Sequence, residues 1–195
     1  MRNLLFFFLM TSLMSVNAQE SNIRIGAKAG LSLSTFSRGF FYQQDDFSYI
    51  PSFYAGALLT VRTDRSISGK LELMYSGQGS YYKATYNTQY GGRYSLGYLS
   101  LGYIIHFRLF EYLFLDAGLT TDLLVKKDNK VPSPKTFDVA GLVGVEVPIL
   151  PSLSLEARVK SGRGSINNYT DYYGSAPFQT ELNNLVVQVG AIYYF

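Results

Sequence analysis

The 195-residue chain has no cysteine, no tryptophan and one histidine, His106. Without thiols, disulfides and thiolate metal centres are excluded, so an exported protein of this kind is held by its core or by a membrane. A lone histidine leaves a zinc site short of ligands. No Lys/Arg cluster marks a nucleic-acid partner. Beyond the N-terminus no apolar run approaches the roughly 18 residues that would suggest a membrane-spanning helix.

What is present begins with a targeting segment. Arg2 supplies a positive start, Leu4 to Val16 an apolar stretch, and Val16-Asn17-Ala18 the small residues of a cleavage site. Residues 1–18 are therefore expected to be a signal peptide and 19–195 one barrel domain. Gln19, not Cys, follows the expected cut, which argues against a lipid anchor. The formal charge of +3 includes Arg2, so the remainder is close to neutral. Aromatic residues make up 16% of the chain and Tyr dominates them, as suits rings placed between water and hydrocarbon.

Period-two patterning divides the remainder into eight predicted strands: 23–36, 50–62, 68–85, 94–107, 112–124, 136–148, 152–164 and 183–195. The connections alternate. Residues 37–49, 86–93, 125–135 and 165–182 are long, whereas 63–67, 108–111 and 149–151 are short. Long outward loops and short periplasmic turns are the habit of outer-membrane barrels, and an even strand number leaves both termini periplasmic. The predicted fold is all-β, an eight-stranded antiparallel up-and-down transmembrane barrel of the outer-membrane type.

The two faces differ sharply. Odd positions such as Ile25, Leu31, Phe53, Leu73, Leu101, Leu119, Val143, Leu155 and Val189 are apolar and none is charged. A Lys or Arg facing lipid at mid-bilayer costs about 2–4 kcal/mol, so this face is read as the lipid side. Even positions hold Arg24, Lys28, Arg62, Lys70, Arg158 and Lys160 against Glu72, Asp116, Asp122, Asp138, Glu146 and Glu156. Matched signs suit a narrow lumen in which an unpaired charge is costly. A lumen ion-pair network is expected from Arg24, Lys28, Lys70, Glu72, Asp116, Asp138, Glu146, Glu156 and Arg158. At eight strands side chains fill the interior, which argues against an open channel.

A soluble lipocalin-like barrel inverts this polarity. The charge-matched face, the aromatic final strand and rings at both strand ends favour the membrane version. One girdle is expected from Tyr103, Phe107, Phe110, Tyr112 and Tyr193 to Phe195, the other from Phe36, Phe53, Tyr81, Tyr82 and Tyr94. The last strand closes on Tyr193 and Phe195, which are read as a barrel-assembly signal.

Candidate chemistry is sparse. A hydrolase needs His beside Ser and an acid, but His106 falls by a short turn and is read as a solvated or interfacial residue. Glu72, Glu146 and Glu156 could serve glycoside chemistry; with Lys28, Lys70 and Arg158 on the same face they are read as counter-ions. The Ser76–Ser80 and Ser161–Ser165 glycine motifs lack a following helix and are discounted as phosphate loops. No catalytic, cofactor or metal site is expected. The long loops offer a candidate binding surface in Phe40, Phe41, Tyr42, Tyr86, Tyr90, Tyr169, Tyr172 and Tyr173, where rings could stack on sugars or anchor a protein.

The opening strand Ile25-Gly26-Ala27-Lys28-Ala29-Gly30-Leu31-Ser32, the Tyr-rich strands and the aromatic C-terminus resemble the PorT-like outer-membrane β-barrel family of Bacteroidetes-type bacteria. The resemblance implies an eight-stranded barrel and supplies no catalytic residues. Its namesake is a secretion-system component, which implies an accessory role in secretion as one candidate. Expected partners are outer-membrane lipid, the barrel assembly machinery during biogenesis, and an envelope or secretion protein. The alternatives are a lipid-modifying enzyme and a small-solute transporter.

Overall fold

The computed structural model describes residues 23–37, 47–62, 66–83, 92–128, 134–163, 166–173 and 176–195, without the side chains of 166–173 and 176–181. The expected signal peptide and the loop residues Phe40, Phe41, Tyr42, Tyr86 and Tyr90 lie outside the described residues. Tyr169, Tyr172 and Tyr173 are described in backbone only.

Ten strands are seen among the described residues: β1 (Ile23–Ser37), β2 (Phe47–Ser48), β3 (Ile50–Arg62), β4 (Ile67–Tyr82), β5 (Gly92–Phe110), β6 (Leu113–Lys126), β7 (Phe137–Leu150), β8 (Leu153–Gly162), β9 (Ile166–Tyr173) and β10 (Ala176–Tyr194). Eight of them form the wall in the order β1-β3-β4-β5-β6-β7-β8-β10. β1 pairs antiparallel with β10 from Gly26↔Tyr194 to Ser37↔Asn183, so the sheet closes on itself. Closure satisfies every strand edge within the wall, which a bilayer demands because it offers no competing hydrogen bonds. Among the described residues no helix is long and apolar enough to cross a membrane; the crossing is made by strands.

The side-chain alternation read from the sequence is realised in the wall. Leu31 is 72% exposed while its neighbour Ser32 is buried, and Leu71 and Leu73 stand outside while Lys70 and Glu72 are buried. β5 and β10 each run for 19 residues, roughly twice the 9–11 that a tilted strand needs to span the hydrocarbon.

Residues 165–182 depart from the expected loop. There β9 pairs with the first part of β10, Tyr173 against Ala176, with a register shift between Thr180 and Leu182. Ile, Tyr and Thr in this stretch favour strand over loop, and a polar, Asn-rich composition hid it. Likewise β2, within the expected 37–49 loop, pairs with Tyr81 and Tyr82 of β4.

Two glycine positions are dictated by the wall. Gly30 and Gly190 are cross-strand partners lying under the Tyr54 ring. A Cβ on Gly30 would meet the Val189 carbonyl oxygen at 2.3 Å and Tyr54 Cε1 at 2.7 Å. Gly79 in β4 has φ +148°, which L side chains rarely adopt, and its neighbours leave no room for a Cβ.

Candidate functional site: the filled lumen and its mouth

Inward positions stack the lumen in three zones. At its heart Lys28 lies 2.6 Å from Glu72 and 3.0 Å from Glu156, and Arg158 reaches Glu72 at 2.7 Å. The Arg158 Nε donates to Gln188, whose amide donates in turn to Ser76. The Tyr54 hydroxyl donates to Glu156 at 2.7 Å, with the Arg158 guanidinium 5.3 Å from its ring centre. A neighbouring pair, Lys160 with Asp122 at 2.6 Å, continues the network outward. All these charges are buried. A buried ion is tolerated only when paired and hydrogen-bonded, and each of these three cations has a carboxylate.

Toward the termini Lys70 bridges Asp116, at 3.0 Å, and Glu146. Glu146 also accepts from the Tyr194 hydroxyl. His106 is buried here, its Nδ1 2.5 Å from Asp116 and its ring stacked on Phe114 at 4.4 Å. The expected solvated histidine is thus corrected, because its even position points it into the lumen, where it is buried. The donor atoms of His106, Asp116 and Glu146 lie within 4.8 Å of one another. The Lys70 ammonium binds both carboxylates, so it already supplies the positive charge that a metal ion would bring.

Arg24 is a second correction. It does not join the network: it donates to the Pro151 carbonyl and lies 4.2 Å from the Tyr194 ring centre. β1 begins at Ile23, so Arg24 is one residue inside the mouth, where it is exposed. Asp138 is buried too, and its carboxylate accepts the backbone N–H groups of Val139 and Arg163. With Arg24 and Arg62 exposed at the mouth, the buried charges are not matched six against six as the sequence suggested. Residues that sequence reasoning missed are Tyr54, Tyr194, Gln188 and His106; their even parity was the available signal.

The far end is apolar. Phe36, Phe47, Leu96, Tyr98 and Leu182 form a buried cluster, against which Tyr82, Tyr94 and Leu124 pack. Phe36 and Phe47 meet edge to face at 5.5 Å. Phe36, Tyr82 and Tyr94, expected in an outer girdle, therefore plug the lumen instead. Their even positions turn them inward, whereas Phe53 and Tyr81, at odd positions, are exposed outside. At the other end Tyr103, Phe110, Tyr112, Tyr193 and Phe195 are exposed, the last two rings 5.5 Å apart.

Between the ion network and solvent on the terminal side lies a cavity of about 340 Å³, lined by Arg24, Arg62, Arg108, His106, Ser68, Tyr194 and Glu146 among others. Ser68 stands opposite His106 in the β4–β5 register.

Among the described residues this network and the aromatic cluster fill the interior at successive depths. The fold has counterparts among solved structures. The chain is similar in structure to Neisserial surface protein A, at 13% identity, covering 90% of this chain and 98% of that one with a TM-score of 0.50. It is similar to Ail of Yersinia pestis (10% identity, 88% and 98% covered, TM-score 0.47) and to OprG of Pseudomonas aeruginosa (11%, 90% and 96%, 0.47). At such identities the likeness is one of fold. No curated protein sequence matches the chain. The model of the outer membrane protein beta-barrel domain matches residues 17–182, most of the chain, and the chain belongs to that family, an eight-stranded barrel of the outer membrane.

Proposed function

We propose that this protein is a non-enzymatic outer membrane barrel whose closed lumen is structural and whose loops or rims bind a partner. One observation carries the reading: above the terminal mouth the lumen is occupied, by ion pairs and then by the ring cluster beyond them. An eight-stranded interior filled by side chains favours a scaffold over a pore. Ile23 and Phe195, the first and last described residues, lie at the short-turn end, which this reading assigns to the periplasm. In this reading the aromatic loop residues Phe40, Phe41, Tyr42, Tyr86, Tyr90, Tyr169, Tyr172 and Tyr173 serve recognition, and Tyr193 and Phe195 serve barrel assembly. A PorT-like accessory role in secretion is one form of partner binding. In planar bilayers the purified protein is expected to give no stable large conductance; a large one would overturn the closed-lumen reading. In vivo crosslinking and copurification through a tag in the 125–135 connection is expected to recover an envelope or secretion protein. Recovery of the barrel alone would argue against an obligate partner.

A second reading, an ester hydrolase acting on envelope lipid, is favoured by one observation. His106 carries an acid partner on Nδ1, and Ser68 faces it across the strand pair. A Ser–His–Asp set works when the imidazole is held by the acid and reaches the hydroxyl, but the structure shows no hydrogen bond between Ser68 and His106. Labelling with a fluorophosphonate separates the readings. A Ser68 adduct lost in His106→Ala would support the hydrolase, and an unlabelled protein the scaffold.

A further inference from the structure

The cations of the lumen fall into two classes. Lys28, Lys70, Arg158 and Lys160 each lie within 3.0 Å of a carboxylate. Arg24, Arg62 and Arg108 have no ion-pair partner among the described residues, although all three line one cavity of about 340 Å³ at the terminal mouth. They come from separate strands, β1, β3 and β5, so even-position parity aims three guanidiniums at one space. Glu146 also lines the cavity, but Lys70 and Tyr194 already hold its carboxylate. His106 likewise faces Asp116. Among the described residues that line the cavity, the charge not already paired is therefore positive.

Two of the three arginines are braced by neighbours. Arg24 is fixed by the Pro151 carbonyl and the Tyr194 ring, and Arg108 lies 5.9 Å from the Phe114 ring centre. Planar guanidiniums present forked donors that match the oxygens of phosphate. Hydroxyls of Ser66, Ser68 and Ser154 line the same walls and add neutral donors. The volume is at the small end of ligand pockets, of the order of 300–1,000 Å³, which favours a compact anion over a large ligand.

We propose that this mouth is a binding site for a phosphate-type oxyanion, either free or carried by a lipid headgroup of the adjoining leaflet. The site does not depend on whether the barrel is a scaffold or an enzyme, because it needs only the three arginines and the cavity.

The test uses the full folded chain in nanodiscs of phosphatidylcholine. Phenylglyoxal modification, read by mass spectrometry, is expected to reach Arg24, Arg62 and Arg108, and millimolar inorganic phosphate or pyrophosphate to protect them while leaving Arg163 unprotected. Replacing part of the lipid by phosphatidylglycerol distinguishes the sources. Protection without added phosphate identifies a headgroup site, and protection only by added phosphate a site for a free anion. Calorimetric titration with pyrophosphate should show about tenfold weaker binding for each of Arg24→Gln, Arg62→Gln and Arg108→Gln, and steep weakening with salt. Lys126→Gln at the opposite end should bind as the parent does. No protection by either source, or unchanged affinity in the three variants, would overturn the proposal. The protection experiment needs no variant, so a substitution that fails to fold leaves the test intact.

Discussion

The two halves of the lumen are walled by the same strands under the same parity rule, yet they are filled by different chemistry. Toward the termini, Lys28, Lys70, Glu72, Glu156 and Arg158 interlock as ions. Toward the other end, Phe36, Phe47, Leu96, Tyr98 and Leu182 pack as hydrocarbon. The lipid outside fixes only what the odd positions must be. The even positions need to fill a narrow tube without leaving a charge alone, and both fillings do so. They should differ in how they fail. An ion network loses much when one member goes, because the remaining charge is buried and uncompensated. An apolar plug loses contact area and leaves a cavity, in proportion to the atoms removed.

The largest expected effect comes from the wall that both halves share. Gly30→Val puts side-chain atoms into the Val189 carbonyl and under the Tyr54 ring. It should abolish folding, seen as loss of the heat-modifiable band on electrophoresis. If the variant folded normally, the wall would be more pliable than the close Gly30–Gly190 pairing implies. Next comes Glu72→Ala, which removes the carboxylate shared by Lys28 and Arg158. A loss of about 4 kcal/mol is expected in reversible denaturant unfolding from lipid vesicles. A loss below about 1 kcal/mol would mean that water or neighbouring groups relieve the stranded cations, and the contrast between the halves would fail.

In the plug, Leu96→Ala should cost about 3 kcal/mol by the cavity it opens. Conductance would sharpen the comparison further. If the plug alone closes that end, the Leu96 variant should show brief openings that Glu72→Ala does not. Equal electrical silence in both would mean that the ion network closes the tube without help.

How much of this was legible follows from which constraint is strong. Lipid punishes charge on the outer face, so strand parity, the strand number and the inward placement of Lys28 and Glu156 could be read directly. Depth along the tube could not. Arg24 and His106 have the right parity but sit near the mouth, where one becomes a solvent-facing cation and the other a buried partner of Asp116. Partners across the lumen were also hidden. Lys28 and Glu156 are 128 residues apart and meet because of strand tilt and stagger, which no local pattern encodes. Phe36 and Tyr94 were misplaced because aromatic identity was weighed above parity; parity alone turns them inward. The β9–β10 hairpin was missed because its Asn and Tyr content suits a loop and an extended strand equally well.

The smallest and most discriminating change lies at Tyr54, which serves wall and ion network together. Its ring covers Gly30 and Gly190, while its hydroxyl donates to Glu156 at 2.7 Å. Tyr54→Phe keeps the ring and removes only the donor. Hydrogen bonds to charged groups contribute about 1.5–3 kcal/mol, and Glu156 keeps Lys28, so a loss of about 1.5 kcal/mol is expected. A double-mutant cycle with Glu156→Gln isolates the coupling. A coupling above about 1 kcal/mol would place the hydroxyl within the ion network. A coupling near zero would make Tyr54 a wall residue only, and the boundary between structural glycine packing and buried charge would then run through a single side chain.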